Sequence, residues 1–295
     1  MRRSAFAAGA RRQPFRAEVE GVSTDQTVQP LSGAEARAAI RSKQHTGATS
    51  SLAPDFVQAD LIAVPAEYAD ELRALCARNP VACPLLDVTP PGGTTSRLAA
   101  DSDLRVDLPG YRVYRNGSLS EKRDDAIDLW REDLVAFLLG SSFTFEQALA
   151  GAGLEARHLN IGATVPIYRT TIPLAPAGRL RGHLMVTMRP YQRADIERVR
   201  AITRPFTEAH GEPFWVGDPR GIGIWNLATP NEGDAVPFEA GEVPVFWASA
   251  VTAHRVVVES RLPYVITHEP GQLFITDLRH EDLARGGKLE FAARM

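Results

Sequence analysis

Two apolar runs of strand length in this chain carry arginines where a folded sheet would bury them. One reads Val165-Pro166-Ile167-Tyr168-Arg169-Thr170-Thr171-Ile172-Pro173-Leu174. The other reads Arg181-Gly182-His183-Leu184-Met185-Val186-Thr187-Met188-Arg189-Pro190. A guanidinium taken out of water is costly unless an anion meets it, and its planar fork suits a carboxylate or a phosphate. Arg169 and Arg189 each need a partner if they are buried. The partner is a bound anion or a protein carboxylate in a structural pair, unless the arginine stands at a strand end and reaches solvent. For each arginine taken alone, the structural pair is the commoner outcome.

The rest of the chain alternates strand and helix signals. Ser32 followed by Glu35 forms a capping box at a helix start, and Gly47 ends that helix. Phe56 to Val64 ends as an apolar strand, and Pro65 opens a helix through Ala77, the strand-then-helix unit of α/β folds. Pro84 to Val88 is a second strand. Tyr111 to Arg115 is another, followed by a turn at Asn116-Gly117. Asp128 to Leu139 places Leu129, Leu134, Phe137 and Leu138 on one face and predicts a helix. Further helices are expected over Thr144 to Ala152 and Arg193 to Thr203. Short buried strands are expected at Val243 to Ala250, Val256 to Glu259, Tyr264 to Thr267 and Leu273 to Thr276. The pattern predicts an α/β chain of two domains. Residues 31–114 and 206–295 form an outer α/β domain, residues 115–205 a smaller inserted α+β domain, and residues 1–30 an extended arginine-rich segment.

Composition excludes several classes of function. Across 295 residues the formal net charge is -3, which leaves no electrostatic footprint for nucleic acid. No apolar run approaches the ~20 residues of a membrane helix. Cys76 and Cys83 are too few for a disulfide scaffold, and they read as reduced thiols in a reducing, cytoplasmic setting. There is no phosphate loop, no dinucleotide glycine fingerprint and no H-E-x-x-H among the seven histidines, so neither a metal nor a cofactor is expected. Gly217-Asp218-Pro219-Arg220-Gly221 is a tight turn in which Asp218 either caps or faces a site. His268 directly follows one apolar strand and Asp277 another, and the ends of buried strands are where α/β folds place ligands. Ser141-Ser142 and Ser249 lack the sharp turn of a serine nucleophile.

Many of these segments, in one order, resemble the D-glutamate cyclase family. They include Arg78-Asn79-Pro80, Cys83-Pro84-Leu85-Leu86, Asp107-Leu108-Pro109 with Tyr111-Arg112-Val113-Tyr114, and Leu129-Trp130-Arg131. They continue through Tyr168-Arg169-Thr170, Met188-Arg189-Pro190, Gly217-Asp218-Pro219, Val243-Pro244-Val245-Phe246-Trp247-Ala248 and Ile266-Thr267-His268 to Phe274-Ile275-Thr276-Asp277-Leu278. The resemblance implies a three-layer αβα domain with a smaller two-layer domain. It also implies a carbon–oxygen lyase that removes water from D-glutamate to give 5-oxo-D-proline, with no cofactor. It further leads one to expect cysteine after Gly140 and after Ala248, where this chain has Ser141 and Ser249. A hydroxyl is a much weaker acid than a thiol, so a thiolate role at either position could not run unchanged.

For such a reaction a cation must hold the substrate carboxylate, a base and an acid must move protons, and donors must meet the developing oxyanion. The residue types assign Arg169 and Arg189 to the carboxylate, His268 and Asp218 to proton transfer, and Thr170 and Ser142 to the oxyanion. Asp277 is expected to orient His268. The expected partner is a small acidic metabolite, with neither nucleic acid nor membrane; self-association is left open. The competing reading is a binding protein that holds the same metabolite in an arginine-lined pocket without turning it over.

Overall fold

The computed structural model describes residues 30–284, so the arginine-rich segment expected over 1–30 lies almost wholly outside the described residues. In chain order the helices and strands are α1 (Gly33–Arg41), β1 (Phe56–Pro65), α2 (Ala66–Arg78), β2 (Leu85–Val88), β3 (Tyr111–Arg115) and β4 (Ser118–Arg123). There follow β5 (Leu134–Gly140), α3 (Phe143–Gly151), α4 (Arg157–Asn160), β6 (Ile167–Pro173), β7 (His183–Gln192) and α5 (Ile196–Thr203). The last are β8 (Trp215–Val216), β9 (Glu242–Ala248), α6 (Val251–Glu259), β10 (Val265–His268), β11 (Phe274–Arg279) and α7 (His280–Ala284). The capping box is present at α1: the Ser32 hydroxyl accepts from the Glu35 N–H while the Glu35 carboxylate accepts from the Ser32 N–H.

The strands form two sheets, which makes this a mixed α/β protein. The seven-stranded sheet runs β2-β5-β1-β10-β3-β4, and β11 pairs with the first half of β1 along the edge that β10 takes further on. The four-stranded sheet runs β6-β7-β9-β8. All of these ladders are antiparallel. The strand-end rule for ligand sites belongs to parallel sheets, so it does not place the site here. The strands also divide elsewhere than at residues 115 and 205: β4 and β5 belong to the larger sheet, while β8 and β9 join β6 and β7.

Two of the expected elements change type. The stretch 128–139 is not a helix: a short 3-10 turn at Ile127–Leu129 leads into strand β5. Every residue of β5 is buried, because it lies between β1 and β2. A strand covered on both faces reads as a continuous apolar run, and such a run also satisfies a helical face. Conversely, Val256 to Glu259 is the end of helix α6 rather than a strand. The β-branched run favours strand locally, and burial of Ala253, Val256 and Val257 on one helical face overrides it.

Strand β1 is buried along all ten residues. Its alternate side chains serve two cores: Val57, Ala59, Leu61 and Ala63 pack with Phe145 and Leu149 of α3, while Ile62 and Val64 pack with Tyr68, Ala69 and Leu72 of α2. Each core continues into the second sheet, through Val245 and Trp247 on one side and Val186, Met188 and Phe246 on the other. Gly140 ends β5 where no side chain fits, since a Cβ there would lie 1.6 Å from the Glu208 carbonyl oxygen. Gly140→Ala is therefore expected to lower stability by about 3 kcal/mol or more. Gly151→Ala, whose Cβ would meet nothing within 4 Å, is expected to be neutral or mildly stabilising. Urea unfolding of the two variants checks both.

Candidate functional site

The most polar position of β1 lies in its middle. Asp60 is the one charged residue of a strand whose other polar side chain is Gln58, and it is buried. Its carboxylate is met by His268 at the end of β10, Nε2 to Oδ1 at 3.0 Å. The second histidine is His254 of α6, with Nε2 3.9 Å from the same Oδ1. The two rings meet edge to face at 4.7 Å. All three residues line a cavity of about 540 Å³. Helix α6 supplies this wall because Val251, His254, Arg255 and Val258 follow helical spacing and face the cavity, while Ala253, Val256 and Val257 face the core.

The proton inventory of the pair follows from its hydrogen bonds. His268 Nδ1 lies 2.8 Å from the Glu269 carbonyl oxygen, which can only accept. Nδ1 therefore carries a hydrogen, and Nε2 must carry one too if it is to donate to an ionised Asp60. The arrangement is an imidazolium–carboxylate pair. Burial alone would raise Asp60, but the His268 charge and hydrogen bond outweigh it and hold the carboxyl below its usual range. Burial likewise pulls His268 down, and Asp60 more than reverses it. For His254 the Asp60 charge is outweighed: burial and the neighbouring His268 charge push it down to about 3. One histidine is thus held charged and the other neutral, side by side.

Two helix starts complete the cavity. Ser141 and Ser142 lead from β5 into α3, and Ser249 and Ala250 lead from β9 into α6; all four residues line the cavity. The two positions where the family resemblance suggests cysteine thus face one space. The positive ends of two helix dipoles favour negative charge there. Arg112 and Arg255 also line the cavity. Each is held by an acid: Arg112 takes both oxygens of Glu269 at 2.8 Å, and Arg255 takes Glu232 at 2.8 Å.

Of the residues singled out from sequence, the structure brings His268 and Ser142 into this cavity. Arg189 stands just behind. Its guanidinium is fully buried between the rings of Phe145 and Trp247 and is neutralised by Glu146, Nε to Oε1 at 3.0 Å. It also donates to the hydroxyls of Ser142 at 3.0 Å and Thr187 at 3.1 Å. Both hydroxyls line the cavity, so Arg189 orients two donors rather than gripping a ligand. Burial would raise Glu146, but Arg189 and His158 overcome it and keep the carboxyl ionised.

The remaining candidates lie away from this cavity. Arg169 is exposed and pairs with Glu259 at 3.0 Å. It lines a separate, more open depression with Thr170, whose hydroxyl donates to the Leu184 carbonyl. Asp218 caps a 3-10 turn and pairs with the exposed Arg220. Asp277 does not orient His268: it sits on β11, beside α1, and binds Arg37 at 2.9 Å. Asp60 takes the orienting position instead. The donor atoms of Asp60, His254 and His268 also lie within 4.8 Å of one another, a grouping the sequence reading did not anticipate. Asp60, His254, Arg112 and Arg255 escaped sequence reasoning because they lie on three separated stretches of chain. The available signal was Asp60 itself, a charge inside an apolar strand, subject to the same argument as the arginines.

Two measurements test this electrostatic picture. In ring-nitrogen NMR titrations His268 is expected to stay protonated above pH 6.5, while His254 remains neutral in weak acid; Asp60→Asn should bring the His268 titration down. Because the folded value of His268 is raised, its contribution to stability is complete below about pH 6.5 and fades as pH climbs through that folded value. Separately, Glu146→Ala leaves a buried guanidinium unpaired and is expected to cost about 3–5 kcal/mol, whereas the double variant Glu146→Leu/Arg189→Met should recover most of that in urea unfolding.

The D-glutamate cyclase family pattern matches residues 135–277, which takes in α3, α6, His254 and His268 but not Asp60. Among similar proteins, one named "Putative hydro-lyase" from Geobacillus kaustophilus is 48% identical over 86% of this chain and 97% of its own length. Another of that name from Rubrobacter xylanophilus is 47% identical over 83% of this chain and 95% of its own. A third, from Bordetella petrii, is 46% identical over 86% of this chain and 98% of its own. Likeness of this extent, over most of this chain and nearly all of each relative, shows that the chain belongs to the D-glutamate cyclase family of hydro-lyases.

Proposed function

We propose that this protein removes water from a small acidic metabolite in the Asp60–His268–His254 cavity, and that the reaction is the cyclisation of D-glutamate to 5-oxo-D-proline. The observation that carries the reading is one buried carboxylate flanked by two histidines, at 3.0 Å and 3.9 Å, inside a cavity, with surroundings that favour the charged form of His268 and the neutral form of His254. Environments that drive two titratable groups apart assign an acid and a base. The family supports the lyase class.

In the cyclisation the amino nitrogen attacks the γ-carboxyl carbon; an N–C bond forms and a C–O bond breaks. Two protons leave the nitrogen and two arrive on the departing oxygen, so the step needs a relay but no net proton. Neutral His254 accepts the first proton from nitrogen and the His268 imidazolium donates the first to oxygen; the second proton from nitrogen then goes to the now neutral His268 and the second to oxygen comes from His254, which restores both rings. Once His268 has given up its proton, the charge that held His254 down is gone, and the three-residue set accommodates the proton taken from nitrogen. Asp60 keeps His268 oriented throughout. The hydroxyls of Ser142 and Thr187 accept from Arg189, so their own hydrogens are left to meet the oxyanion. The α-carboxylate is placed between the starts of α3 and α6, with Arg112 and Arg255 nearby.

The test is incubation with D-glutamate and detection of 5-oxoproline by mass spectrometry. His268→Gln and Asp60→Asn are expected to lower kcat by about 10²–10⁴, while Arg169→Ala, outside the cavity, leaves kcat/KM unchanged. Stoichiometric binding without product would favour the binding-protein reading instead, and a loss of activity in Arg169→Ala would move the site to the other depression.

A further inference from the structure

The same three residues have the makings of a metal site. The donor atoms of Asp60, His254 and His268 all lie within 4.8 Å of one another. Donors on one ion at ~2.0–2.2 Å stand roughly 2.9–3.5 Å apart. The 3.0 Å between Asp60 Oδ1 and His268 Nε2 already fits that range. The 3.9 Å to His254 Nε2 asks that ring to move in by about half an ångström.

Two observations beyond proximity point to an ion. First, His268 donates through Nδ1 to a backbone carbonyl, the supporting bond that metal-bound histidines make, and this leaves Nε2 as the inward donor. Second, His254 Nε2 is buried and has no hydrogen-bond partner among the described residues. A buried ring nitrogen without a partner is costly, and a metal would satisfy it. We infer that Asp60, His254 and His268 bind one divalent transition-metal ion facing the cavity.

The ligand set narrows the metal. Two imidazoles and a carboxylate, with no thiolate, suit zinc, manganese, iron(II) or cobalt(II) over calcium or magnesium. Cys76 and Cys83 take no part; both are free and buried elsewhere. Three protein ligands leave coordination positions open toward the cavity, the mark of a site that takes substrate or water rather than one that only holds the fold. Nε2 of His268 carries either a proton or the ion, so the loaded site and the Asp60–His268 ion pair are alternative states. The inference goes beyond the elimination reading, since it stands or falls without turnover.

The experiment uses the full chain, stripped with a chelator and titrated with cobalt(II) chloride by calorimetry and by visible d–d absorption, without substrate. One equivalent is expected to bind. Asp60→Asn and His254→Gln should each weaken binding by more than the ~100-fold that losing a mere supporting partner can cost, while His45→Gln, outside the cavity, should bind as the parent does. Absence of stoichiometric binding in the unsubstituted protein overturns the inference, whatever the folding of the variants. Binding that survives in Asp60→Asn/His254→Gln/His268→Gln overturns it as well. Cobalt binding without product from D-glutamate keeps the metal site and removes the cyclisation; product without cobalt binding does the reverse.

Discussion

A strand buried on both faces with a carboxylate at its centre is the constraint on which the rest of this structure depends. β1 belongs to both hydrophobic cores, and its ten residues have no exposed side. Asp60 cannot escape to solvent along such a strand. It must be answered by positive charge or hydrogen bonds, because an unanswered buried carboxylate costs several kcal/mol. The answer comes from β10 and α6, which bring His268 and His254 to it. The same demand that holds these elements together thus assembles the reactive groups.

Arg189 solves the matching problem for the second sheet. Its charge is met by Glu146 of α3 and lies between two aromatic rings, tying β7 to the helix that begins beside the cavity. The pair is weak evidence for net stability, since burying both charges is itself costly. Its value lies in orientation: the same guanidinium fixes the hydroxyls of Ser142 and Thr187. Ser141 and Ser249 stand at the two helix starts that face this space. With hydroxyls there rather than thiols, nucleophilic thiolate chemistry is closed to this chain at those two positions.

Local signals in the sequence succeeded where one residue decides one geometry. The Ser32–Glu35 box, the strand ending at Pro65 and the strands carrying Arg169 and Arg189 were legible. So was the family, because many short matches in one order leave little room for accident. Legibility failed for β5, where Leu134, Phe137 and Leu138 suit a helical face as well as a doubly buried strand. It failed again for α6, where three valines favour a strand until packing outweighs them.

By itself the sequence determined that an arginine buried in a strand, as Arg189 is, needs an anion, and that the chain is a mixed α/β protein of this family. It also determined that no phosphate loop or dinucleotide fingerprint is present. Only the tertiary structure decided which anions: Glu146 for Arg189 and Glu259 for Arg169, both from the protein itself. It also decided that Asp60, not Asp277, meets His268. The reason is that the partners are separated by up to 208 residues, and strand order and helix facing, which no local pattern encodes, choose which of many acids and histidines come within reach.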